Sequence, residues 1–379
     1  MSGHKPFKIF KPVLAAAVFL FSASLFAVTL KAASINEIKG SVKIVDQQGK
    51  SRAAANGDPV LGDESVETGA NSGATLVFDD GSKVELGPST RVKVNDMMLT
   101  GNTTVLLYLG RLFANILPSH GGERGFEVQT LSTTAGVRGT EFEVAAGLDG
   151  SSLVSVEKGV VEVGLDDNEV SVQGGDEVDV SYDGRIIKGR RGRRSEDDWQ
   201  KWFSMRQQYF IDHSDRVLDN LTGTLDRTRN RIKDQDQKME LMKKQLSEAY
   251  EQGDLSNNQV RNRVRKDIDQ YMGMMNNFAQ ADNKLAAADY IISQAQEQIK
   301  LNPDAFSPEF KDKVSTARAV LDQMNLAELR RQNRQVLVTH MAGIMRTARK
   351  YDLQDEVWKR LPPKTRQRII NRAQQRRQK

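Results

Sequence analysis

Ala74-Thr75-Leu76-Val77-Phe78-Asp79-Asp80-Gly81-Ser82-Lys83-Val84-Glu85-Leu86 decides the reading of the first half of this chain. Two short apolar alternations flank an Asp-Asp-Gly-Ser turn. Asp and Gly tolerate the positive φ angles of a tight primed turn, so the stretch predicts a β-hairpin with strands at 74–78 and 83–86. The pattern repeats outward, giving expected strands at 41–45, 91–94, 104–109, 126–130, 141–145, 153–157, 160–163, 169–172 and 177–181. Glycines 110, 125, 139, 159, 175 and 184 punctuate them. Residues 34–188 therefore read as an all-β domain, and strands this short suit either a sandwich or a solenoid-like stack.

Beyond an Arg-rich linker at 189–195, which carries Arg190, Arg191, Arg193 and Arg194, the apolar period changes from two to about 3.5. Ser195 with Asp198, Ser256 with Gln259, and Ser307 followed by Pro308 mark three helix starts. Gly253 and Asn302-Pro303 mark the breaks between them. Leu218, Leu221, Leu225, Thr228, Ile232, Gln235, Met239, Met242, Leu246 and Ala249 form one seam. Val260, Val264, Asp267, Tyr271, Met274, Phe278, Ala281, Leu285, Ala288, Ile292, Ala295 and Ile299 form a second. A short connection at Gly253 favours an antiparallel coiled-coil hairpin. A third helix, seamed by Phe310, Val314, Ala317, Leu321 and Met324, completes a bundle. Val336, Leu337, Met341, Ile344 and Met345 suggest a continuation or a fourth helix. The fold class is multidomain, β then α, with the helical region at 196–350 and a basic terminal helix or tail at 351–379.

The N-terminus reads as an export segment, residues 1–33: Lys5, Lys8 and Lys11 precede an apolar run from Pro12 to Leu30. Cleavage after Ala33 and retention as a membrane anchor both remain open. Either places the remainder outside the cytoplasm by the positive-inside rule. The 379 residues contain no cysteine, which excludes disulfides, thiolate nucleophiles and zinc-thiolate sites. Net charge is only +5, but no acidic residue follows Glu356, and Arg366, Arg368, Arg372, Arg376 and Arg377 crowd the end. For an exported chain this points to anionic lipid headgroups, lipopolysaccharide or an acidic protein rather than nucleic acid.

A further stretch, Ser132-Thr133-Thr134-Ala135-Gly136-Val137-Arg138-Gly139-Thr140-Glu141-Phe142-Glu143-Val144, resembles the A-x-V-R-G-T-x-F signature of the FecR-domain family. Gly62-Asp63-Glu64, Thr68-Gly69 and Leu86-Gly87-Pro88 resemble its upstream elements. The resemblance covers roughly 35–180 and none of the helical region. It implies an extracytoplasmic β domain, used in the best-understood members by regulators that couple an outer-membrane signal to a cytoplasmic anti-sigma segment. Only about ten residues precede the apolar run here, so direct sigma-factor regulation is not expected. Within the signature, Arg138 either contacts a partner or pairs with local carbonyls to fix its turn, with Gly139 supplying an unusual backbone conformation. Val137, Thr140 and Phe142 complete the motif.

No catalytic constellation is read. His4, His120, His213 and His340 are scattered, and no H-E-x-x-H, P-loop or G-x-S-x-G pattern occurs. Asp79-Asp80-Gly81 lacks the further carboxylates of a calcium loop. No cofactor or metal site is expected. Met272, Met274 and Met275 read as core filler, and Trp199, Trp202 and Phe203 as residues that pack the first helix onto the β domain. The sequence thus predicts a non-catalytic envelope binding or scaffold protein whose partner is a protein or a glycan, with self-association through the helices open. The alternative is a sensory or regulatory component that works with a separate membrane protein.

Overall fold

The structure is a computed structural model that describes residues 31–62, 64–95, 103–118, 125–165, 168–190, 194–252 and 258–360. Its β region is one 17-stranded hydrogen-bonded system folded into two facing layers. The first layer runs β4 (Pro59–Leu61), β1 (Lys31–Lys39), β6 (Gly73–Val77), β7 (Lys83–Leu86), the end of β9 (Thr103–Asn115), β12 (Glu141–Ala146), β13 (Ser152–Lys158), β16 (Asp176–Val180) and β17 (Ile186–Arg190). The second runs β3 (Ser51–Ala53), β2 (Val42–Val45), β5 (Ser65–Thr68), β8 (Arg91–Asn95), the start of β9, β10 (Phe126–Gln129), β11 (Thr134–Val137), β14 (Val160–Leu165) and β15 (Asn168–Gln173). Only the β9–β10 pairing is parallel among these. The chain steps back and forth between layers in short hairpins, so the domain combines a sandwich core with a solenoid-like path. Inward side chains such as Ile35, Ile44, Leu76, Val92, Val105, Phe142 and Val161 form one core between the layers.

The decisive hairpin forms as its residues require. Phe78 N–H donates to Ser82 O at 2.9 Å, Gly81 N–H to Phe78 O at 3.0 Å, and Gly81 takes φ +86°. Other elements differ from the sequence reading. Lys31, Ala32 and Ala33, expected in the export segment, belong to β1, where Ala32 and Ala33 are buried. Gly189 and Arg190, expected in the linker, close β17 against β16. Strands β3, β4, β5, β11 and β17 were not anticipated, and Gly110 does not end β9 but lies within it.

The helical region comprises α1 (Glu196–Asp212), α2 (Ser214–Gln252), α3 (Asn258–Leu301), α4 (Pro308–Gln323), α5 (Leu326–Lys350) and α6 (Gln354–Arg360). Ser195 and Asp198 form the expected capping box, and Ser307 Oγ accepts from Phe310 N–H at 3.0 Å ahead of Pro308. The expected cap at Ser256 lies outside the described residues. The first helix breaks at His213, where the backbone leaves helical values (φ −126°, ψ 26°). Every described residue of the α2 seam from Leu218 to Leu246 is buried. The pairing of α2 with α3 is the antiparallel hairpin that the two seams require. A third rod lies against it in two pieces, α4 and α5, joined where Asn325 adopts φ 44° and caps α5. The buried pair formed by Asp282 with Arg330 (2.9 Å) and Asn333 (2.8 Å) ties α5 to α3. Among the described residues no helix is long and apolar enough to cross a membrane. The apolar run 12–30 and the tail 361–379, with Arg366, Arg368, Arg372, Arg376 and Arg377, lie outside them.

One buried titratable group sits inside the bundle. His340 of α5 is 1% exposed; its Nδ1 hydrogen-bonds the Tyr271 hydroxyl on α3, and its Nε2 lies 3.6 Å from Glu240 and 3.8 Å from Asp236 on α2. Burial pushes the imidazole below its ordinary value of 6.5, with Lys243 adding to that push and the two carboxylates opposing it. A depressed folded-state value means that this stability is present above about pH 6.5 and lost as pH falls through the folded value. The bundle's melting temperature should therefore drop on acidification from pH 7 to pH 5, and His340→Gln should flatten that slope. An unchanged slope in the variant would assign the acid sensitivity elsewhere.

Candidate binding clefts between sandwich and bundle

Helices and sandwich pack as one unit, and the contacts follow from which strand residues point outward. On the first layer, Ala145 and Leu153 face away from the core and receive Trp199 and Trp202 of α1. On the second, Leu106 and Tyr108 receive Ala286 and Ala287 of α3. The Asn283 amide donates to Gln129 at 2.6 Å beside them. Arg91 lies over the Tyr108 and Tyr290 rings at 5.5 and 4.8 Å. Across the end of the sandwich, Leu131, Leu148 and Tyr182 pack on the start of α2. The role expected of Trp199, Trp202 and Phe203 is the one they perform.

Polar contacts hold α1 down. Glu177 and Asp179 alternate with inward Val178 and Val180 on β16, so both carboxylates face the helix. Glu177 accepts from Arg194 Nε and Nη2 at 3.2 and 2.9 Å. Asp179 accepts from Trp202 Nε1 at 3.1 Å and from Arg206 Nη2 at 2.6 Å. Arg206 also lies 3.7 Å from Asp149, which is fully buried. Burial holds the Asp149 carboxyl above its ordinary range, although hydrogen bonds from Ser151 and the nearby Arg206 pull the other way.

Two clefts open where the helices do not touch the sheets. The smaller, about 500 Å³, lies between the second layer and the α2–α3 hairpin. Gly136 and Gly164 leave its floor bare, Glu127 and Glu162 line the sheet side, and Arg231 and Lys284 line the helix side. The larger, about 1090 Å³, lies between the first layer, α1 and the end of α3. Its walls carry Phe113, Arg111 and Glu143 from the sheet, Trp199, Gln200, Phe203 and Gln207 from α1, and Gln294 and Gln298 from α3. Both exceed the roughly 300 Å³ at which concave ligand sites begin. Among the described residues no group of three or more His, Cys, Asp or Glu side chains is arranged to hold a metal ion.

The signature motif is architectural. Val137 ends β11 in one layer and Phe142 begins β12 in the other, so residues 138–140 form the corner between them. Val137, Thr140 and Phe142 are all buried. Thr140 exchanges backbone hydrogen bonds with Ile116 at 3.0 and 3.1 Å, and its hydroxyl donates to Val160 O at 3.2 Å. Gly139 takes φ +67° with Pro118 at 3.0 Å from where a Cβ would stand, which restricts the position to glycine. Arg138 alone of the motif points outward and is exposed. Its guanidinium has no hydrogen-bond partner among the described residues, in contrast to the carbonyl-pairing reading. The corner at residues 138–140 thus lies apart from both clefts, although Gly136 floors the smaller one and Glu143 lines the larger, and their polar walls are what the sequence reading missed. Glu196, Gln200, Phe203 and Gln207 fall at helical spacing on one face of α1, a signal present in the sequence but indistinguishable there from a solvated stripe.

Residues 64–162 match the family model described as FecR protein. That span runs from just before β5 into β14, and the helices lie outside it. No curated protein matches the chain. A crystal structure of a proposed anti-sigma factor from Parabacteroides distasonis ATCC 8503, at 1.65 Å resolution, is 23% identical over 34% of this chain and 60% of that one, with a TM-score of 0.31. A second structure with the same description, at 2.50 Å, gives the same figures, so this chain spans 60% of the length of those structures. A cell surface anchoring domain is 31% identical over 18% of this chain and 88% of that one, with a TM-score of 0.17.

Proposed function

We propose that this chain, whose residues 64–162 form a FecR-family domain, is a non-catalytic binding component of the bacterial envelope. The observation that carries the reading is the junction: the helices grip both outer faces of the β domain and leave polar clefts between them. A scaffold that only spaced two partners would need no such shared surface. The two modules act as one recognition body, and their partner is an envelope protein or glycan. At the coarser level the FecR match supports a regulatory or signal-transducing role. A second reading, a sensory component working with a separate membrane protein, is favoured by exposed Arg138, a rigid five-donor fork on the one solvent-facing corner of the family signature.

Export is tested by a periplasm-only reporter fused after Lys379. An active fusion supports the envelope reading, whereas an inactive fusion beside an active cytoplasmic one overturns it. The basic segment 359–379 is a separate proposal, an electrostatic contact to anionic lipid or lipopolysaccharide. Deleting residues 362–379 should lower binding to vesicles containing phosphatidylglycerol, and binding by the full chain should weaken as salt rises, since exposed charges are screened over about 8 Å at physiological ionic strength. Equal binding by both proteins at low salt would leave the tail merely solvated.

A further inference from the structure

The larger cleft holds chemistry that neither the fold nor the α1 latch uses, and we infer that it is an oligosaccharide site. The inference rests on the binding reading above and names the ligand class for this cleft. Four amide side chains face it from two helices: Gln200 and Gln207 from α1, Gln294 and Gln298 from α3. Gln207 Nε2 reaches Gln298 Oε1 at only 3.5 Å, and the amides of Gln200 and Gln294 make no hydrogen bond among the described residues. An amide offers two donors and an acceptor in one plane, a set that matches vicinal hydroxyls or an acetamido group. Phe203, partly buried against Trp202 at 5.0 Å, supplies the apolar surface on which the C–H face of a sugar ring packs. The indole N–H of Trp199, buried in the same wall, has no acceptor among the described residues.

Charge and topology exclude the competing ligand classes. The lining carries three carboxylates, Glu85, Glu143 and Glu196, against two cations, Lys39 and Arg111, and Arg111 is already engaged by Glu196 and by Glu143 at 3.9 Å, so the net negative wall disfavours a phosphate or nucleotide. An extended peptide would need a free strand edge. The sheet strands that floor the cleft, β7, β9 and β12, are each paired on both sides. A helical peptide would need a continuous apolar groove, whereas the apolar side chains here, among them Leu86, Leu109, Phe113 and Phe203, are interrupted by four glutamines and three glutamates. An uncharged chain of sugars meets all three conditions, and a volume of about 1090 Å³ suits several rings rather than one.

The test titrates the purified full-length chain calorimetrically with the β-1,4-linked tetramer of N-acetylglucosamine and, in parallel, with cellotetraose, which lacks the acetamido groups. Saturable binding of at least one is expected, with Gln200→Ala/Gln294→Ala weakening it about tenfold, as loss of two neutral hydrogen bonds implies. Phe203→Ala should weaken it as well. Arg231→Ala, in the other cleft, should not. Gln200 is exposed and Gln294 partly so, so the double variant keeps its fold, which circular dichroism checks, and it decides the matter should Phe203→Ala misfold. Absence of saturation by either sugar at millimolar concentration, or unaltered binding by the folded double variant, overturns the proposal. The titration does not depend on where the protein resides, so an exported chain that binds neither sugar sinks this inference alone. A sugar-binding chain that is not exported sinks the envelope reading instead.

Discussion

Gly110→Ala should abolish or severely weaken folding of the β domain. Strand β9 passes from one layer to the other near this residue, pairing with β8 before it and with β7 and β12 from it onward. The crossing needs φ +94°, and a Cβ there would stand 2.3 Å from Thr90 Oγ1 and 2.5 Å from Thr90 Cα. The second distance is to backbone, so no rotamer change relieves it. Thr90 cannot retreat, because it is 1% exposed and its Oγ1 accepts from Arg111 N–H at 3.0 Å. Positive-φ strain of about 1–3 kcal/mol and overpacking of similar size add to roughly 2–6 kcal/mol, and the backbone clash places this site toward the upper end. Against a total stability of roughly 5–15 kcal/mol this is decisive. In thermal melts followed by near-ultraviolet circular dichroism, a soluble variant should melt at least about 10 °C lower. Gly49→Ala isolates the backbone term, since Gly49 has φ +81° with nothing within 4 Å of a Cβ, and should cost only about 1 kcal/mol. A Gly110→Ala protein melting within a few degrees of the parent would refute the layer-crossing account.

The same strand shows what sequence could reveal. Local chemistry fixed the hairpin at Asp79–Ser82 and the α2 seam, because turn residues and heptad spacing act within a few positions of themselves. What the sequence could not tell was which face of an element another module covers. Ala286, Ala287 and Asn283 lie off the α3 seam, and only the outward Leu106, Tyr108 and Gln129 of the second layer give them a reason to be buried. Likewise Gly110 reads as a strand end locally, whereas its conformation is imposed by Thr90 on a neighbouring strand. Strand β1 was hidden by position: Ala32 and Ala33 follow closely on an apolar run, and Lys31 and Ala33 pair with Leu61 and Val60 of β4. The signature residues were legible and the clefts were not, because a motif is contiguous whereas each cleft is built from segments over a hundred residues apart.

Asp179→Ala should loosen α1 from the sandwich and cost about 3 kcal/mol of stability. Its carboxylate is the acceptor for Trp202 Nε1 at 3.1 Å and for Arg206 Nη2 at 2.6 Å, and truncation strands both donors. Removing one partner of a buried ion pair costs about 3–5 kcal/mol, and the lower end applies here because the Arg206 side chain keeps 14% exposure. Trp199 and Trp202 are 1% and 3% exposed, so release of α1 should shift tryptophan emission to longer wavelength and speed tryptic cleavage near Arg194. Asp179→Asn retains an acceptor for the indole and should fall between the parent and the alanine variant. Urea unfolding that shows a loss under about 1 kcal/mol, with unshifted emission, would mean that apolar contact alone holds the helix. The remaining acid limits the damage. Asp149 lies 3.7 Å from Arg206, and the Asp179 charge is one of the influences holding the Asp149 carboxyl above its ordinary range. With Asp179 gone, Asp149 ionises more readily and takes over the guanidinium. Asp149→Asn in the Asp179→Ala background should therefore lose more than the sum of the two single changes, the sign of coupling expected when two carboxylates share one cation.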